Sequence, residues 1–167
     1  DETSAITNRT RFGYATKPLN GVSAFVELEN NTPFDRSDYS VPQASQGAST
    51  KAVVADPEEV ELNKAYIKYA GKLDDISLNA IIGRQRIIID DARFIGNVGW
   101  RQMEQTYDAA NFSSDLGIKG FDLQYIYIWK VNRIFTEEAT VAGATPFDSS
   151  SHVIHASYQF CKEFKLI

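Results

Sequence analysis

Apolar and polar residues alternate along much of the chain, most clearly in FDLQYIYIWKVNRIF at 121–135. Successive side chains of a strand point to opposite faces. Phe121, Leu123, Tyr125, Tyr127, Trp129 and Val131 therefore share one face, and Asp122, Gln124, Ile126, Ile128, Lys130 and Asn132 share the other. The run predicts a strand of about ten residues, long beside the roughly five or six of an ordinary globular strand. It matches the roughly nine to eleven residues that a tilted strand needs to cross a bilayer.

Six further segments repeat the alternation. Residues 8–16 set Arg9 and Arg11 opposite Thr10, Phe12 and Tyr14. Residues 22–30 set Val22, Ala24, Val26 and Leu28 opposite Ser23, Phe25, Glu27 and Glu29, and KPLNG at 17–21 joins the two as a hairpin. Segments 59–70 and 77–87 form a second hairpin through 71–76, and 104–112 pairs with 121–132 through 113–120. Residues 152–160 give a seventh strand, with Ile154, Ala156, Tyr158 and Phe160 opposite His155, Ser157 and Gln159. Short turns follow the first, third and fifth strands, and long polar segments (31–58, 88–103, 135–151) follow the others. Regular alternation of short turns and long loops is the habit of outer-membrane barrels. The expected fold is all-β, an antiparallel up-and-down transmembrane β-barrel, with residues 1–167 forming a single barrel segment. A soluble antiparallel sheet whose loops happen to alternate is the other reading.

Composition narrows the classes. The chain has 167 residues, 43% of them hydrophobic and 12% aromatic, which suits one ordered domain rather than a disordered segment. A net charge of −5 argues against a general nucleic-acid binder, which would be basic. The single cysteine, Cys161, excludes an internal disulfide framework and a cysteine-rich metal site. The first residues, DETSAITNRT, contain no apolar signal segment, so any leader is expected to lie outside this sequence. No apolar run is long enough for a transmembrane helix, which leaves barrel strands untouched.

The segment GRQRIIIDDARFIGNVGWRQMEQTYDA, from 83 onward, resembles the alginate-export-like outer-membrane porins of Gram-negative bacteria. The match rests on Gly83, Arg84, Gln85, Arg86 and Ile87, then on Arg93, Phe94, Gly96, Asn97, Val98, Gly99, Trp100, Arg101, Gln102, Glu104, Gln105 and Thr106. Supporting stretches are RTRFGYAT (9–16), GVSAFVELEN (21–30), VVADPEEVELNKAYIKY (53–69), VNRIF (131–135) and HASYQF (155–160). The resemblance implies a large barrel, of which these strands are expected to be an internal piece from the N-terminal half. It also implies outer-membrane location, lipid contact, and alginate or small organic acids as solutes.

With apolar side chains towards lipid, alternation assigns Arg9, Arg11, Glu27, Glu29, Asp122, Gln124 and Lys130 to the lumen. Arg9 and Arg11 would face Glu27 and Glu29 across the first hairpin, which equally describes a purely structural salt ladder. Arg84 and Arg86 end strand four, and Arg93 and Arg101 lie in the returning loop. The apolar III and FIGNV stretches give that loop its own anchor, so it is expected to pack and narrow the lumen. Two outcomes stay open. The arginines form an anion-selective field, or Asp90, Asp91 and Glu104 neutralise them in a structural network. Strict alternation sends Arg84 and Arg86 outward unless a bulge lies near Gly83 or both sit beyond the hydrocarbon band.

Other chemistry is weakly marked. His152 and His155 fall on opposite strand faces and cannot share a metal ion. Asp74–Asp75 and Asp90–Asp91 read as solvated turns rather than Ca²⁺ ligands. Asn30-Asn31-Thr32 fits a glycosylation sequon that means little in a bacterial protein. No motif for an enzyme, cofactor or metal emerges. The expectation is a channel for passive passage or export of anionic solutes, without a cofactor. The alternatives are a soluble β-sandwich binding carbohydrate through Tyr125, Tyr127 and Trp129, and a non-conducting structural barrel.

Overall fold

The computed structural model describes residues 3–36, 39–43, 50–140, 143–161 and 164–166. These build one antiparallel sheet in simple sequence order. Its strands are β1 (Thr7–Ala15), β2 (Val22–Pro33), β3 (Glu59–Leu73), β4 (Ile76–Gln85), β5 (Thr106–Ser114), β6 (Phe121–Asn132), β7 (Phe147–Cys161) and β8 (Phe164–Leu166). All seven expected strands form, and the three-residue β8 is an addition. Among the described residues no pairing joins β1 to β7 or β8, so the sheet is an open wall.

The turns follow from local chemistry. Between β1 and β2, Asn20 (φ 50°) and Gly21 (φ 82°) form the two-residue link, closed by reciprocal bonds between Leu19 and Val22. Asn-Gly suits this turn because both central residues need positive φ, and the resulting twist matches that of the strands. Asp74 takes the same region (φ 53°) in the short link from β3 to β4.

The two faces differ as the alternation requires. On β2, Val22, Val26 and Leu28 are exposed, while Glu27 is half-buried and Glu29 and Asn31 are buried. Phe12, Tyr14, Ile67, Ile82 and Ile154 extend the exposed apolar face across the sheet. An apolar band of this breadth is too large for an isolated protein in water and fits lipid.

Strict alternation fails at bulges. On β3 the register shifts between Leu62 and Lys64, so Asn63 is an extra residue opposite the Glu27–Leu28 step. The outward column passes from Val60 and Leu62 to Ala65, Ile67 and Tyr69, and Asn63 and Lys64 both face inward. On β6 the extra residue against β5 is Trp129, and at the same step β7 carries one residue more than β6. Val131, assigned by alternation to the aromatic face, is buried inward with Ile126 and Ile128. No register shift occurs at Gly83, so the bulge considered there is absent.

The inner face is covered by the connection 86–105. Its Ile87, Ile89 and Ile95 pack on Tyr107, Ala109, Ile126, Ile128, Val131 and Val153 of β5–β7, forming the main buried apolar cluster. The expected anchor therefore exists, made by Ile87 and Ile89 of III and the isoleucine of FIGNV, while Ile88 is exposed.

Candidate functional site

The inner surface of β1–β3 carries charge in rows set by register. Arg11 lies opposite Glu29, Arg9 opposite Asn31, and Gly13 opposite Glu27. Only Arg11 and Glu29 therefore form the expected cross-hairpin pair, at 2.8 Å. Glu27 instead meets Lys64 at 3.0 Å and Asn63 at 2.8 Å, both supplied by the β3 bulge. Arg9 reaches over the sheet to the Gln102 carbonyl, donating at 2.7 Å.

Glu104 is the centre of this surface. It descends from the loop just before β5 and is 2% exposed. Arg86 donates to it through Nε (2.5 Å) and Nη2 (2.6 Å), Asn63 and Asn97 each donate at 2.9 Å, and Arg11 lies at 3.2 Å. Burial by itself would raise the Glu104 carboxyl. The hydrogen bonds from Arg86, Asn97 and Asn63, with the charge of Arg86, outweigh it and hold the group at about 2. The same contact raises Arg86 further.

A second clamp fixes the loop beside β1. Asp56, fully buried, accepts from Thr7 Oγ1 at 2.7 Å, from the Gln102 amide at 3.3 Å, and from Arg101 through an ion pair. The Tyr39 hydroxyl donates to the Asp56 carbonyl at 2.8 Å. Burial, then the charge of Asp56, pushes that phenol up to about 12. Two long connections and β1 are thus tied at one carboxylate. The backbone of the bolted loop carries local strain, with Ala92 (φ 61°) and the β-branched Val98 (φ 48°) left-handed.

The remaining charged residues lie apart. Arg84 keeps the outward parity of Ile82 and pairs with Asp108 at 2.8 Å. Asp108 lies opposite Lys130, which the β6 bulge takes out of the inward column; Lys130 pairs with Glu137 at 3.2 Å. This charged row ends the apolar outer surface towards the long connections, one outward step beyond Ile82, Ala110 and Tyr127. Arg86 shares that parity, yet it leaves the sheet after β4 and turns in to Glu104. Arg93 pairs with Asp91 at 3.1 Å and stays 73% exposed. Asp122 lines an inner polar cavity of about 540 Å³ with Asp90, Gln124, His155 and Ser157. His155 meets Asp90 at 3.2 Å, while His152 meets the Tyr125 hydroxyl at 2.8 Å on the other face.

Sequence reasoning passed over Asp56, Asn63 and Lys64. The missed signal for the last two is the change of apolar parity between Leu62 and Ala65, which marks a bulge. Asp56 carries no local signal, because its partners are about fifty residues away in both directions.

A wide antiparallel sheet with an apolar outer face, a charged inner face and a loop bolted across that inner face is the wall of a transmembrane β-barrel channel. The family model described as alginate export matches residues 2–127, more than half of the chain. The chain belongs to the alginate export family, outer-membrane β-barrel proteins of Gram-negative bacteria that act in transport. No curated protein and no solved structure gave a match.

Proposed function

We propose that this wall lines a passive path for anionic solutes, either acidic polysaccharide such as alginate or small organic acids. The observation that carries the reading is the clamped connection 86–105. Glu104 and Asp56 consume the charge of Arg11, Arg86 and Arg101, which makes these arginines the fastening of a constriction rather than its field. The field falls to residues left open by that fastening. Arg93, Phe94 and Trp100 stand on the free side of the loop around a groove of about 390 Å³. Arg9 remains exposed and bonds only a carbonyl among the described residues. An exposed guanidinium beside an aromatic ring suits a carboxylated sugar, the cation meeting the carboxylate and the ring meeting the sugar face. Arg84 and Lys130 would act at the outer rim, and Glu27, Glu29 and Asp122 would shape the inner potential.

The test is planar-bilayer conductance of the full gene product under a salt gradient. Discrete steps with an anion-selective reversal potential are expected. Arg93→Glu and Arg9→Glu should move that potential towards cations, because neither removes a clamp. An unchanged potential in both variants would refute the assignment of the field, and an absence of steps would refute the channel reading.

A further inference from the structure

We infer that the inner face of β2 and β3 carries a binding site for a planar aromatic carboxylate of the benzoate class, built from Phe25, Tyr66 and Lys68. The inference rests on the proposed path for anions and chooses among its solutes. Register puts Phe25 directly opposite Tyr66 on that face, and their rings lie 5.4 Å apart at an interplanar angle of 37°. Both residues are only half-buried and lie outside the main apolar cluster. The inward face of a barrel strand is ordinarily polar. A half-exposed pair of rings there offers a stacking surface to a solute.

Neighbours in the same row are too small to cover the rings. The row runs from Ala15 on β1 through Phe25 and Tyr66 to Gly83 on β4 and Ala109 on β5. Gly13, two residues before Ala15, gives the Phe25 ring its room, since a Cβ there would stand 3.3 Å from Phe25 Cζ. Ala109 belongs to the cluster that anchors the connection 86–105. The rings therefore stand beside that loop, on the wall it leaves open.

Charge selects the ligand. Lys64, two residues before Tyr66, pairs with Glu27 at 3.0 Å and lies 5.9 Å from the centre of the Phe25 ring, which helps to fix that ring. Lys68, two residues after Tyr66 on the same face, has no hydrogen-bond or ion-pair partner among the described residues. It lies opposite Ser23 and so diagonal to Phe25, a separation of about 7–8 Å that a long side chain bridges. A free ammonium beside open rings fits a ligand that joins one ring to one carboxylate, the rings stacking and the charges pairing. Few other polar groups stand here. Besides Lys68 they are the Tyr66 hydroxyl and Ser23, set among Ala15, Gly83 and Ile81. A sugar acid would bring several hydroxyls, each losing water without a replacement partner. Benzoate brings none.

The test is saturation-transfer NMR of benzoate with the full gene product in lipid nanodiscs, with empty nanodiscs as the blank. Benzoate should bind at millimolar concentration, about tenfold more tightly than glucuronate. Lys68→Gln should weaken it about tenfold by removing the charge pair. Phe25→Leu, which keeps every charge, should weaken it too and serves if the first variant does not fold. Lys72→Gln, further along β3, should bind within about twofold of the native protein. Absence of benzoate binding above the blank would overturn the inference. Glucuronate binding as tightly as benzoate, or benzoate binding unaffected by Lys68→Gln and Phe25→Leu, would overturn it equally. The reversal potential reports on the anion path separately. Anion-selective steps from a protein that binds no benzoate would overturn this site and leave the path standing.

Discussion

Replacing Glu104 by glutamine removes the negative charge on which the inner face converges while keeping nearly the same volume. The carboxyl is held at about 2 against an ordinary 4.5. That gap corresponds to about 3 kcal/mol of favourable interaction in the folded state. Breaking one partner of a buried ion pair costs about 3–5 kcal/mol, because the remaining charges stay buried without compensation. Here the charge left without a carboxylate is that of Arg86, whereas Arg11 and Lys64 keep Glu29 and Glu27. Glu104→Gln should therefore lower the stability of the refolded protein by about 3 kcal/mol in urea titrations in micelles. Combined with Arg86→Gln, the loss should fall well short of additive, since the two residues form one contact. The pH dependence has a definite sign. A depressed carboxyl stabilises fully above pH 4.5, and its contribution disappears as pH falls to about 2. The native protein should weaken through that window more than Glu104→Gln does. A stability change below about 1 kcal/mol, or additivity with Arg86→Gln, would refute the view that Glu104 fastens the loop.

Three further outcomes follow from other parts of the wall. Gly83 has φ +123°, and a Cβ there would stand 2.3 Å from the Ala65 carbonyl oxygen. Gly83→Ala should therefore cost about 2 kcal/mol or more in the same titration, and a neutral result would mean that β3 and β4 can separate freely. Ile67 is exposed on the outer face, so Ile67→Arg should cost about 2–4 kcal/mol in lipid, whereas Ser113→Arg on the inner face should cost far less. Equal costs would argue against a lipid-facing outer surface. Asp56→Asn weakens the tie to Arg101 and Thr7. Trypsin should then cut after Arg101 about tenfold faster, because local opening sets access to a clamped loop; an unchanged rate would show that Asp56 is not a fastener.

The strands were legible in the sequence because their information is local. A period of two needs only neighbouring residues, so the columns Val22–Val26–Leu28 and Phe25–Glu27–Glu29 read directly as outer and inner. The anchor of the returning loop was legible for the same reason, its isoleucines being contiguous or nearly so. The alternating lengths of the connections, and the family resemblance in 83–108, pointed together to a barrel wall.

The partnerships of the charges were decided only in three dimensions. The bulges on β3 and β6 carry no charge signature, yet the first turned Lys64 and Asn63 inward together and the second moved Lys130 into the row of Arg84 and Asp108. Glu104 and Asp56 gather partners from β1, β3 and the loops, across separations far beyond any local pattern. Alternation tells which face a side chain takes until an extra residue reverses it. Which cation then meets which carboxylate depends on strand register and on where the loop returns, and these are properties of the folded sheet.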